Sequence, residues 1–327
     1  MIKYVLRRIL GWILMIFLAT NVTYVLATLF LDPRSNYTAR RPPVPDYVID
    51  NSLSRFNLND KDPLIDRWWH WISSIVTRWD WGKSPEGVSV NSEVAYRMWV
   101  SAELVLGATI IATVLGVALG VYTAARQYKW QDRVSQQVSV FTLNIPSPVM
   151  AAAVVVAALW INDRAGATLL FVSGSASIGV QGFFPTLVDT LRHLIPPTVS
   201  LVVIGYAGYH FLQRSLLLDN INADYVRTAR AKGLTLAQAI RKHALRTSII
   251  PVATTVAFQI PSIFTGAIIT ETIFAWEGMG RYFTATIATN DIHGAVATAA
   301  FAALLTAIGA VLSDVAIAAL DPRVRVS

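Results

Sequence analysis

Six stretches of this chain stay apolar for about 20 residues or more, near residues 9 to 31, 98 to 124, 135 to 161, 194 to 218, 248 to 270 and 294 to 319. A helix rises about 1.5 Å per residue, so roughly 20 residues cross a hydrocarbon layer about 30 Å thick. The expected fold class is therefore an all-α integral membrane protein with six transmembrane helices. Composition agrees: 54% of the 327 residues are hydrophobic, 14% are charged and mean hydropathy is +0.49, too apolar for an ordinary soluble domain. With no Cys in the chain, no disulfide framework and no thiolate metal or redox site can be drawn. The first apolar stretch follows Arg7 and Arg8 and is longer than a signal-peptide core, so it reads as a retained anchor rather than a cleaved leader.

Orientation follows from the Lys and Arg residues in the short connections. The two termini, the connection holding Arg126, Lys129 and Arg133, and the connection from Arg214 to Arg246 together carry fifteen. The two short connections on the other side carry Arg164, Arg192 and Arg281. Both termini are thus expected in the cytoplasm. The reading divides the chain into an N-terminal transmembrane helix (1–31), an outer segment (32–95), a five-helix core (96–319) and a cytoplasmic tail (320–327).

The outer segment has a character of its own. "RPPVPDY" reads as an extended strap. "DPLIDRWWHWISSIVTRWDW" reads as an amphipathic helix with Asp62 as N-cap and Pro63 at its first position. Its stripe of Trp68, Ile72, Ile75 and Trp79 suits a helix lying on the membrane face or on a neighbouring subunit.

Between the fourth and fifth spans stands "ADYVRTARAKGLTLAQAIRKHALR", residues 223 to 246, with six Lys or Arg residues against one acid. Asp224 is expected to cap a helix that begins at Tyr225, and Gly233 to end it in the left-handed conformation. Thr235 and Gln238 then fit a capping box that starts a second helix toward the membrane. Topology alone needs only charge, whereas Ala229, Ala231 and Gly233 also supply small surfaces that let a short helix sink into a partner's groove. A rigid lever pressed by a cytoplasmic protein accounts for both.

These residues also carry a resemblance. "DYVRTARAKGL", followed by "KHALR" and "IIPVAT", resembles the cytoplasmic signature of bacterial ABC importer permeases of the peptide, oligopeptide and nickel branch. The family's Glu-Ala-Ala is Arg227-Thr228-Ala229 here, with Gly233 in place. "LRRILGWILMIF", "RWDWGKSPEGVSV", "HLIPPTVSL", "ETIFAWEGMGRYF" and "LDPRVRVS" extend the likeness over most of the chain, most like the first of two permeases in an oligopeptide importer. The Trp-rich outer segment and Gly205-Tyr206-Ala207-Gly208-Tyr209 depart from the pattern. The resemblance implies a type I ABC importer permease fold in the bacterial plasma membrane. It implies that residues 224–233 form a coupling helix, with Asp224, Tyr225, Arg227, Thr228, Ala229, Arg230, Lys232 and Gly233 meeting an ATP-hydrolysing subunit. The implied partners are a homologous second permease, one or two ATP-binding subunits that hold ATP and Mg, an extracellular peptide-binding protein and membrane lipid. Dipeptides, haem and nickel chelates are alternative cargoes of the same class.

No cofactor or catalytic group is expected in this chain. Gly82-Lys83-Ser84 ends like a phosphate-binding loop, but the position that needs the earlier Gly is Thr77. The five His residues show no pair at ligand spacing on one helix face, so no metal site is drawn. Gly278-Met279-Gly280 reads as a tight turn that lays Trp276, Met279 and Tyr282 on the membrane or a neighbouring subunit. Charge beside a membrane is explained by topology and docking, so no nucleic acid is implied. Polar residues within spans are costly in lipid and face a cavity or another helix. Asn21, Glu103, Asn144, Gln259 and Asp314 are accordingly the candidates for a pathway wall or for helix packing. An ion-driven secondary transporter is the rival class, and it would want buried ionisable groups near the midplane that these spans nearly lack.

Overall fold

The computed structural model describes residues 2–38 and 41–320, with side chains over 7–38, 41–256 and 267–314. Among these residues the chain is helical, with a lone bridge between Lys83 and Ser89. The helices are α1 (Ile2–Phe30), α2 (Ser35–Thr38), α3 (Asp46–Arg55), α4 (Leu64–Arg78), α5 (Val90–Ala124), α6 (Trp130–Leu143) and α7 (Ser147–Ala165). They continue as α8 (Phe183–Ile221), α9 (Asp224–Ala231), α10 (Leu236–Ala239), a π-helical turn (Ile240–Ala244), α11 (Leu245–Gly266), α12 (Ile268–Ile273), α13 (Met279–Ala288) and α14 (Ile292–Leu320).

Among the described residues five segments are long and apolar enough to cross a membrane: Arg7–Thr38, Val90–Ala124, Ser147–Ala165, Phe183–Ile221 and Ile292–Asp314. Less than half of each apolar window is buried inside the chain, so most of this surface is left for lipid or another subunit. The span expected at 248–270 falls on α11 and the start of α12, and the side chains of 257–266, including Gln259 and Pro261, lie outside the described residues. The span expected as one helix over 135–161 is two, α6 and α7. The break has a local cause: Pro146 lacks an N–H and disfavours helical geometry at Ile145, and Pro146 itself is extended at φ −58°, ψ 137°.

Two compact units divide the chain, Met1–Ser101 with Glu277–Ala307, and Ala102–Trp276 with Ile308–Ser327. In the first, segment 32–95 folds onto α1. Tyr24, Leu53, Trp71, Ile292 and Val296 share one buried cluster, and Trp71 stacks on Tyr24 with ring centroids 4.5 Å apart. Arg34 ties the segment together through Asp50 at 2.6 Å and Asp60 at 2.8 Å. This arrangement corrects the stripe of α4: Trp68, Ile72 and Ile75 pack on the chain's own cluster, while Ile65, Trp69, Val76 and Trp79 are the exposed apolar residues. The amphipathic helix is real, but its buried face is satisfied within the chain.

Helix starts also differ by a residue. Pro63, not Asp62, occupies the N-cap of α4, and Ser54 Oγ donates to the Asp62 carboxylate at 3.4 Å. The strap reaches only Pro45, after which Asp46 and Tyr47 are already in α3. At the far end of α4, Trp79 adopts a left-handed conformation (φ 55°, ψ 35°) that a bulky residue rarely takes. Asn91 holds it, donating to Trp79 O at 2.6 Å and accepting from Trp81 N at 3.0 Å. Residues 276–282 are likewise not a membrane-facing turn. Met279 and Tyr282 are buried in the first unit, where Ser101 Oγ accepts from Met279 N at 2.7 Å, and Trp276 is fully buried in the second.

The second unit is organised by small residues. Ala108, Ala112, Gly116, Gly120 and Ala124 recur every four residues along α5, which puts them on one helix face. That face meets α8 so closely that a Cβ on Gly116 would lie 2.5 Å from Tyr206 O, and one on Gly120 would lie 2.9 Å from His210 O. In lipid there is little hydrophobic drive between helices, and close backbone approach through small residues is what holds them.

Candidate functional site

The basic connection forms a compact hairpin. Helix α9 begins one residue earlier than expected: Ala223 is its N-cap, and Asp224 lies in the first turn, where its charge still favours the positive helix end. Its last turn closes as a Schellman motif, with Gly233 N donating to Arg230 O at 2.9 Å and Leu234 N to Ala229 O at 3.3 Å. The motif requires a left-handed residue, and Gly233 supplies φ +93°. Two residues on, Thr235 and Gln238 form the reciprocal capping box, with bonds of 3.3 and 2.9 Å. Helix α10 then runs through the π-helical turn into α11.

Val226 and Ala229, three residues apart, point the same way. Both are buried in a cluster with Ala124, Leu217, Ala239, Ile240 and Ala244. Ala229 therefore leaves the expected partner-facing set: its small side chain serves close packing of α9 on this chain's own helices, at 6% exposure. Asp224, Tyr225, Arg227, Thr228, Arg230, Lys232 and Gly233 remain on the exposed face. Arg227, Arg230 and Lys232 form no ion pair among the described residues. Tyr225 Oη donates to Asn220 Oδ1 at 2.6 Å, fixing the entry from α8 into α9.

A polar network lies buried where α5, α6 and α8 meet, joining residues too far apart in sequence for any local spacing to pair them. Thr123 Oγ1 lies 2.9 Å from Leu119 O and 3.0 Å from His210 Nε2, and Ser139 Oγ lies 2.7 Å from His210 Nδ1, so each ring nitrogen has a hydroxyl within hydrogen-bond distance. The ring thus joins three helices with both nitrogens satisfied. One turn further along α8, Arg214 makes a two-pronged bond to Asp132 at 2.7 and 2.8 Å. Asp132 is 1% exposed and also accepts from Tyr128 N and Gln136 Nε2. The Arg214 guanidinium, ahead of the opposing effect of burial, holds the Asp132 carboxyl below the usual carboxylate range. Gln213 Nε2 donates to Ser248 Oγ at 2.9 Å and extends the polar layer to α11.

The singled-out polar residues scatter. Asn21 accepts from Trp68 Nε1 at 2.6 Å and donates to Phe17 O, which makes it a packing residue between α1 and α4. Asn144 is exposed, ends α6 and returns its amide to Val140 O at 2.7 Å. Glu103 is exposed on α5, and Asp314 is half-buried on α14. None of these lines the groove between α5 and α8, whose walls are Ala108, Ala112, Leu201, Gly205 and Tyr209, with Ser147 of α7 beside them. The sequence signal for that groove is the four-residue repeat of Ala and Gly on α5.

The described residues thus form a helical chain with several membrane-length spans, a docked surface hairpin and a polar-pinned helix junction. Residues 116–326 match the family of binding-protein-dependent transport system inner membrane components, and the chain belongs to that family. It is similar to the oligopeptide transport system permease protein OppB of Mycobacterium bovis, at 38% identity with 100% of both chains covered. It is also similar to the dipeptide transport system permease protein DppB of Bacillus subtilis, at 32% identity over 99% of this chain and 98% of that one. The glutathione transport system permease protein GsiC of Escherichia coli is 29% identical over 99% of each.

Proposed function

We propose that this chain is one permease half of an ATP-driven importer and that its cargo is oligopeptide. It would pair with a homologous second permease, receive peptide from an extracellular binding protein and be driven by one or two subunits that hold ATP and Mg. The observation that carries the reading is full-length similarity to OppB at 38% identity. The exposed cationic face of α9 supports the coupling role, because three cations without an ion pair among the described residues, beside a small-residue turn, suit a cleft carrying carboxylates. The excess of Lys and Arg in the α5–α6 and α8–α11 connections and at the termini supports a cytoplasmic hairpin.

Force applied to α9 has a defined route. The Schellman turn at Gly233 and the capping box at Thr235 stiffen both corners of the hairpin, and Val226 and Ala229 lock it to the ends of α5 and α8. A push on the exposed face therefore moves α8 and α11 as bodies, and with them the small-residue face of α5. The chain performs no covalent step on the peptide. Its work is to move helices and so change which side of the membrane the pathway faces.

Because the chain contains no Cys, single cysteines can be introduced cleanly. Thr228→Cys, on the exposed face, is expected to crosslink to the ATP-binding subunit in intact membranes, while Ala229→Cys is not. Capture of neither residue, with the importer assembled, would remove the coupling role from α9.

A further inference from the structure

In the first unit the end of α4, the start of α5 and residues 297–304 of α14 enclose an apolar groove of about 260 Å³. Trp79 and Trp81 line it from the end of α4, Met98 from α5, and Ala297, Phe301 and Leu304, spaced four and three apart on one helix face, from α14. Both α5 and α14 belong to segments long and apolar enough to cross a membrane. The α14 wall lies three to ten residues inside the apolar run that begins near 294, about 5–15 Å at 1.5 Å per residue, and so within a hydrocarbon layer about 30 Å thick. Met98 is 39% and Leu304 45% exposed, so both helices keep apolar surface open to that layer.

The other end of the groove is polar only in its frame. Asn91 stands seven residues before the apolar run of α5 that starts at Met98, on the headgroup side of that boundary. Its side chain is spent on the turn after α4, donating to Trp79 O at 2.6 Å and accepting from Trp81 N at 3.0 Å. These bonds hold Trp79 in its left-handed conformation, with its ring edge-on to Trp81 at a centroid distance of 5.8 Å. Two indoles thereby sit at headgroup depth, where Trp is ordinarily enriched, beside walls that reach into hydrocarbon. Apart from Asn91 and the two indoles, no lining side chain is polar.

These features select the occupant. A peptide main chain brings N–H and C=O groups that such walls leave unsatisfied. A partner's helix is too thick: at about 10 Å across and 1.5 Å per residue it fills about 120 Å³ per residue, and the groove takes only about two. An acyl chain is thin, flexible and apolar up to its ester. We infer that the groove holds one acyl chain of a membrane phospholipid, seated between α5 and α14 with its ester end at Trp79 and Trp81. The chain fills the seam between the two helices and ties the end of the outer segment to the bilayer.

Photolabelling tests this. The purified full-length chain is placed in nanodiscs of phosphatidylcholine carrying a diazirine midway along one acyl chain, irradiated, and mapped by peptide mass spectrometry. Leu304 in the groove is compared with Leu18 and Leu26 of α1, whose exposures of 52% and 48% slightly exceed its 45%. These controls lie thirteen and five residues from the end of their run near 31, against ten for Leu304 from the start of its own, so their depths bracket it. Exposure alone predicts equal labelling, whereas a retained chain should raise adducts on Leu304 about fivefold over the two leucines passed by exchanging lipid. Ala95→Phe, at an exposed position in the lining, fills the groove and should bring Leu304 down to the level of the other two while leaving those unchanged. Equal labelling of the three leucines in the native chain overturns the site, with no variant needed. So does labelling of Leu304 that Ala95→Phe leaves unchanged in a chain whose circular dichroism matches the native one. In the assembled importer the excess on Leu304 should persist. Its loss there shows that another subunit covers the groove and overturns the lipid assignment.

Discussion

Substituting Gly116 with Ala tests whether backbone contact between α5 and α8 holds the second unit together. The new Cβ would sit 2.5 Å from Tyr206 O, 2.6 Å from Tyr209 Cβ and 3.0 Å from His210 N. Two of these are backbone atoms, which cannot rotate away, so α8 must retreat by roughly 1 Å to restore ordinary contact near 3.5 Å. Overpacking of this kind costs about 1–3 kcal/mol. Against it stands the better helix propensity of Ala over Gly, up to about 1 kcal/mol. Gly107 supplies the control, since it lies on the same helix and a Cβ there meets nothing within 4 Å. Gly107→Ala keeps the propensity gain without the clash, so the difference between the two variants isolates the contact at about 1–3 kcal/mol. The assay is unfolding of the purified chain by titration with SDS, followed by circular dichroism. Retreat of α8 would also stretch the His210 bonds to Thr123 and Ser139, so Gly116→Ala should lose more than the interface alone. If the two variants unfold at the same SDS concentration, close packing of α5 on α8 is not what stabilises this unit.

Two further outcomes follow from titratable groups outside the spans. Asp132 has a folded pKa below its unfolded value, so the stability it contributes is present above about pH 4 and lost as pH falls through the folded pKa. Asp132→Asn should cost about 1–3 kcal/mol at pH 7, discounted from a fully buried pair because Arg214 is 16% exposed, and the cost should shrink in acid. Asp291 works the other way. Burial, ahead of the hydrogen bonds from Gly294 and His293, pushes its carboxyl up to about 6. Its contribution is complete below the unfolded value near 4 and is lost as pH rises through about 6. Asp291 Oδ1 accepts from Gly294 N at 2.9 Å, a cap that Asn reproduces, so Asp291→Asn should stabilise the chain at pH 7.5 and match it at pH 4 in thermal unfolding. An unchanged difference across that pH range would contradict the burial of this carboxyl.

What could be read in the chain alone is what neighbouring residues decide among themselves. Apolar runs mark the spans because lipid thickness fixes how many residues a crossing helix needs. The corner at Gly233 and the capping box of Thr235 and Gln238 were legible because a turn or a cap involves only residues within a few positions. Charge asymmetry across short connections is equally local. Which partner a helix face meets was not legible, since periodicity marks an apolar face without saying what covers it. So the stripe of α4 pointed toward a membrane or a neighbour until tertiary packing placed Trp68, Ile72 and Ile75 on the chain's own core. Ala229 looked like a docking surface until its burial beside Val226 showed it facing inward. His210 finds its partners 71 and 87 residues away in Ser139 and Thr123, and His293 meets the Lys83 carbonyl 210 residues away. Contacts at such separations arise only when helices are brought side by side, and no short-range pattern encodes them.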